Sequence, residues 1–175
     1  MGWLFTINAT RKDVIDKLVS FEENEHGIWE TIRHCTRGNV LWSVLEWTDK
    51  ASNVTRKVIA CHLLDKTVEQ YGNRSIVSWG YKSMDEAMGP TYYSCPLSYL
   101  KEVTDVACEA WREQVRKYHR PIKQGDRLML RQCKTPYVDV ISAKPLTAVY
   151  QGACYRIPRD LIEDVVSAKS VTRAA

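Results

Sequence analysis

From Ile28 to Tyr81 the chain reads as consecutive extended segments cut by polar turns, and no other feature restricts its fold as strongly. Residues 28–35 and 40–47 alternate β-branched or aromatic residues with polar ones, and Arg37-Gly38-Asn39 between them has the composition of a hairpin turn. Asp49 to Asn53 makes a second polar turn, Thr55 to Leu64 a third strand, Gln70 to Asn73 a third turn, and Ser75 to Tyr81 a fourth strand. Short turns join antiparallel neighbours, so the expectation is a four-stranded antiparallel meander.

Helical periodicity flanks this region on both sides. Thr10 stands three residues before Asp13, the spacing at which a hydroxyl and a carboxylate cap a helix start, and Val14, Ile15, Leu18 and Val19 then form an apolar stripe. Pro96 suits a first helical turn, with Leu97, Leu100 and Val103 on one face. Thr104-Asp105 restarts a helix through Val106, Ala110, Trp111, Val115 and Tyr118, which Pro121 stops. Packed on the meander, these helices make residues 1–120 an α+β domain. After Pro121 the texture changes to short strands at 127–130, 137–141, 147–151 and 154–157, followed by a short helix over 161–166. That pattern predicts a small SH3-like β-barrel over residues 121–175.

Apolar residues make up 45% of the chain, enough for a buried core, while the longest apolar runs span only a few residues against the roughly 20 needed to cross a bilayer. Met1 to Phe5 lacks the basic start of a secretion signal, so the expected location is the cytoplasm. In that compartment the six cysteines are expected to be free thiols. No spacing of ligands or phosphate-binding glycines calls for a metal or cofactor. His34-Cys35 and Cys61-His62 mirror each other, yet adjacent residues on a strand face opposite sides of its sheet, so each pair offers one ligand per face.

Two regions carry the candidate site. Gly80 to Pro96 crowds tyrosines, charges, a Gly-Pro break and a thiol into one loop-like stretch, in which Tyr81, Lys82, Asp85, Glu86, Tyr92 and Tyr93 suit a recognition patch. Between Trp111 and Arg159 eleven Lys or Arg stand against three carboxylates, a net +8, which leaves −4 for the rest of a chain whose total is +4. Arg112, Arg116, Lys117, Arg120, Lys123, Arg127 and Arg131 are the candidates to meet phosphates or an acidic protein surface. As an alternative, Asp85, Glu86 and Lys82 form a hydrolytic centre dependent on a divalent metal, as in a nuclease. Cys95, at a helix start where a thiolate is favoured, is the candidate for covalent catalysis.

Met1-Gly2-Trp3-Leu4-Phe5-Thr6, the block Gly80-Tyr81-Lys82-Ser83-Met84-Asp85-Glu86 with Gly89-Pro90 and Cys95-Pro96, Glu109-Ala110-Trp111-Arg112, and Gly125-Asp126-Arg127 together resemble an uncharacterised family of small proteins carried by bacteriophages, plasmids and other mobile elements. The resemblance implies context in place of chemistry: an accessory protein in the host cytoplasm that interferes with a host defence system. The expected function is accordingly non-enzymatic binding of a host protein, nucleoprotein complex or nucleic acid, with no membrane involved. A structural or scaffold role is the remaining alternative.

Overall fold

The structure, a computed structural model, describes residues 3–20, 22–84, 93–103, 109–131 and 137–166, with the backbone alone at 3–6 and 82–84. These residues form two compact units: one holds those up to 84 with 95–103 and 109–111, the other holds 93, 94 and those from 112 onward.

In the first unit, six antiparallel strands form one sheet: β1 (Trp3–Ile7), β2 (Glu22–Glu23), β3 (Gly27–Arg37), β4 (Val40–Asp49), β5 (Thr55–Tyr71) and β6 (Arg74–Met84), in the order β1-β6-β5-β4-β3-β2. The two strands beyond the expected four lie at the edges. β1 pairs with β6 from Trp3 opposite Lys82 to Ile7 opposite Ser78, and β2 sets Glu22 and Glu23 against Trp29 and Ile28. A five-residue segment is too short to display a period by itself, and a pair of glutamates has little strand propensity; both are strands because an edge is there to receive them. β5 also runs seven residues past Leu64, since Asp65 and Lys66 break an apolar alternation that an arm outside the core does not need.

The centre of β4 is buried on both faces, from Val40 through Val44. On one face Leu41 meets Leu64 and Val14 of helix α1 (Arg11–Leu18), with Ile15, Leu18, Trp79 and Tyr81 around them. On the other, alternation turns Trp42 toward Trp111, with ring centroids 6.3 Å apart. Thr10 and Asp13 form the capping box expected of them: the Asp13 N–H donates to Thr10 Oγ1 at 3.2 Å and the Thr10 N–H to Asp13 Oδ2 at 2.7 Å. Thr10→Ala is expected to lower unfolding stability by about 1 kcal/mol, read as a lower urea midpoint at unchanged slope. Nearby, the Trp29–Trp47 pair, 5.6 Å between centroids, requires glycine at position 27, where a Cβ would overlap the Trp47 indole and the Thr48 carbonyl.

Two further helices are short: α2 (Leu97–Leu100), and α3 (Glu109–Tyr118), within which the boundary between the units falls. The second unit is a five-stranded antiparallel sheet of β7 (Arg127–Leu130), β8 (Tyr137–Ala143), β9 (Leu146–Tyr150), β10 (Ala153–Arg156) and β11 (Ile162–Val166), ordered β10-β9-β8-β7-β11. Leu128, Val138, Val140, Ala148, Ile157 and Val165 are its core. Residues 161–166, expected as a helix, are instead the end of a 3₁₀ turn (Arg159–Leu161) and strand β11. Ile162 and Val165 share a helix-like spacing, but a register shift between Ile162 and Asp164 lets a strand turn both toward the core.

The fold is therefore mostly β, two antiparallel sheets of which one curls into a half-barrel, and the expected α+β class is corrected: the helices are few and short, and the meander is part of a six-stranded sheet. The β7–β11 order is compatible with a small SH3-like barrel. No helix among the described residues is long and apolar enough to cross a membrane.

Candidate recognition recess

Of the tyrosine-rich stretch, the side chains of Tyr81 and Tyr93 are described, and they belong to different units. Asp85, Glu86 and Tyr92 lie outside the described residues, and Lys82 is described by its backbone alone, paired with Trp3 and Leu63. Tyr81 packs into the α1 face of the first sheet, edge-on to His62 at 5.7 Å. Tyr99, a further aromatic of this region, is 3% exposed. Tyr93 belongs to the second unit, where it joins the basic residues.

There Tyr93, Lys117, Tyr118, Arg131, Arg159 and Asp164 help to line a shallow recess between the end of α3, the 3₁₀ turn and β11. Its enclosed space is about 10 Å³, room for one water, whereas pockets that swallow a small molecule run to hundreds of Å³. The Arg131 guanidinium lies 5.4 Å from the Tyr93 ring centroid, within cation–π range, and its Nε donates to the Ile162 carbonyl at 3.4 Å. Arg159 Nη1 donates to the Tyr118 carbonyl at 2.6 Å and the Arg120 carbonyl at 3.3 Å, closing backbone acceptors that the end of α3 leaves open.

Most of the cations expected to form a free basic patch are engaged within the chain. Arg120 Nη1 donates to Asp164 Oδ1 at 3.2 Å and to the Val165 carbonyl at 3.0 Å. Arg127 pairs with Asp139 at 2.8 Å and lies 6.0 Å from the Tyr137 ring. Lys117 stands 3.8 Å from Glu113. These pairs are exposed, so each adds little stability, but each cancels a charge that a phosphate would otherwise meet. Arg112 is 8% exposed and is therefore withdrawn from the surface, while Arg116 on the same helix is exposed. Lys123 is exposed and forms no ion pair among the described residues; its backbone N–H donates to Asp126 Oδ2. Asp160, Glu163 and Asp164 set negative charge in the recess beside the cations.

Those carboxylates and Arg159 were not among the expected site residues. The contacts that place them join residues about 40 positions apart, as between Arg159 and Tyr118, and no local spacing signals such a meeting. Two of the described thiols are buried. Burial pushes the Cys61 thiol up to about 12, and Cys95 is fully buried with Sγ 3.7 Å from the Pro96 carbonyl oxygen. Cys35, Cys61, Cys95 and Cys154 are not in disulfides, and among the described residues no three His, Cys, Asp or Glu converge as metal ligands. In comparison with known proteins the chain matches no protein-family model, no curated protein and no solved structure.

Proposed function

We propose that this chain is a binding protein that engages a host nucleoprotein through the Tyr93–Arg131 recess of its second unit. The observation that carries the reading is the guanidinium of Arg131 stacked on Tyr93 in a shallow surface where cations and carboxylates interleave. A partner offering both phosphates and basic side chains complements that pattern, whereas a bare polyanion would face Asp160, Glu163 and Asp164. The resemblance to proteins of mobile elements supplies the setting, interference with a nucleoprotein of the host's defence; the chemistry of the recess supplies the class of partner.

Salt dependence separates a nucleoprotein from naked nucleic acid. Two or three phosphates contacted, at roughly 0.7 to 0.9 each, give a fall in log K of about 2 per log unit of salt for an oligonucleotide, together with weak binding at physiological salt. A patch in which all the expected cations were available would give about 5. From host extract, immobilised wild-type protein is expected to retain a complex containing nucleic acid, and Arg131→Glu to reduce retention at least about tenfold, a free-energy difference of about 1.4 kcal/mol. Tight oligonucleotide binding with the steep slope would replace the reading by direct nucleic-acid binding, and retention unaffected by both Arg131→Glu and Tyr93→Ala would remove the recess from it.

A further inference from the structure

β5 pairs with β4 only as far as Leu63, opposite Val40, and the last backbone bond on that side is from the Leu64 N–H to the Asn39 carbonyl at 2.7 Å. From Asp65 to Tyr71 the strand has β6 on one side and, among the described residues, no strand on the other. At the rise of a strand this arm is about 23 Å long. Val68 on it is 52% exposed and Tyr71 59%. From Val68 on the arm is two-stranded, because β1 accompanies β6 only as far as Ser78, and a two-stranded hairpin is marginally stable in water; its open edge presents unpaired N–H and C=O groups that template another strand.

We propose that this edge pairs antiparallel with the same edge of a second copy, about a twofold axis through Val68. The charges select both the occupant and the register. In a continuous antiparallel sheet related by a twofold axis, facing residues are symmetric about one central residue. Centring on Thr67 sets Asp65 against Glu69 of the other copy, and centring on Glu69 sets that carboxylate against itself; like charges facing each other are unfavourable. Centring on Val68 puts Lys66 opposite Gln70, Thr67 opposite Glu69 and Asp65 opposite Tyr71, with no like charges facing and the exposed valine against its own copy. Of the registers that pair most of the arm, it alone has both properties. Lys66 supports it, since its Nζ lies 5.9 Å from the Trp79 ring centroid on the neighbouring strand.

An interface of this length belongs to the weak class, so association is expected to depend on concentration in the micromolar range. Sedimentation equilibrium over rising concentration is expected to show the mass moving from one chain toward two. Val68→Lys and Val68→Glu, each placing like charges face to face, are expected to raise the dissociation constant at least about tenfold, and the two variants mixed are expected to associate again by opposite charge. A mass of one chain throughout, association undiminished in either variant alone, or a mixture that fails to recover it would overturn the proposal. Recovery on mixing also shows that the variants are folded, because unfolded chains have no edge to pair.

Discussion

Trp42→Ala is expected to cost the chain about 3 to 5 kcal/mol of unfolding stability, the range for truncating a fully enclosed aromatic, against totals of roughly 5 to 15 kcal/mol for whole domains. Trp42 is wholly buried in the middle of β4, flanked across the sheet by Cys35 and Cys61, and its ring meets that of Trp111. The cavity left by alanine would be lined by paired strands, which have little freedom to collapse into it. Trp42→Phe provides the contrast. The indole N–H of Trp42 has no acceptor among the described residues, so phenylalanine removes an unsatisfied donor while keeping an aromatic surface, and a loss under about 1.5 kcal/mol is expected. Urea unfolding of both variants checks this; equal losses would mean that the N–H is bonded after all.

The second large effect is a dependence of stability on pH that passes through His62. Its ring lies on the α1 face of β5, opposite Leu41 and edge-on to Tyr81, and burial lowers its pKa to about 4 from the ordinary 6.5. On acidification the unfolded chain therefore takes up its proton first. The contribution is fully present above about pH 6.5 and is lost as the pH falls through about 4, so stability rises with pH across that window. A shift of this size corresponds to about 3 kcal/mol over the window. The measurement is urea unfolding from pH 7 down to pH 4 for the wild type and for His62→Phe. The difference between the two curves is expected to shrink toward the acid end as the wild type weakens, and parallel curves would place the histidine in water.

What could be read from the chain alone follows the range of each signal. The Thr10–Asp13 cap, the β3–β4 hairpin around Gly38-Asn39 and the start of β7 after Gly125-Asp126 are visible because the groups concerned lie within a few residues of one another. β1 and β2 were not, because an edge strand is specified by its neighbour, and β11 was not, because a bulge gave a strand the spacing of a helix. The surroundings of the candidate site were hidden for a related reason. A run of cations, with Asp139 and Glu113 inside it, is legible from composition, but Asp164, which answers Arg120, arrives from 44 residues away and lies outside the segment. The net charge of a segment therefore overstated the field that its surface presents.

The place of β11 beside β7 has a consequence for how the second unit comes into being. β7 meets β8 early, but its other flank waits for the residues made some thirty positions later, and Val165 cannot reach Leu128 before then. During synthesis a ribosome-bound chain that has reached only Pro158 carries β7 with one side bare and the carbonyls of Tyr118 and Arg120 without Arg159. Among the described residues this sheet is thus completed by β11, and a nonsense codon anywhere before Ile162 would release it with one side of β7 open.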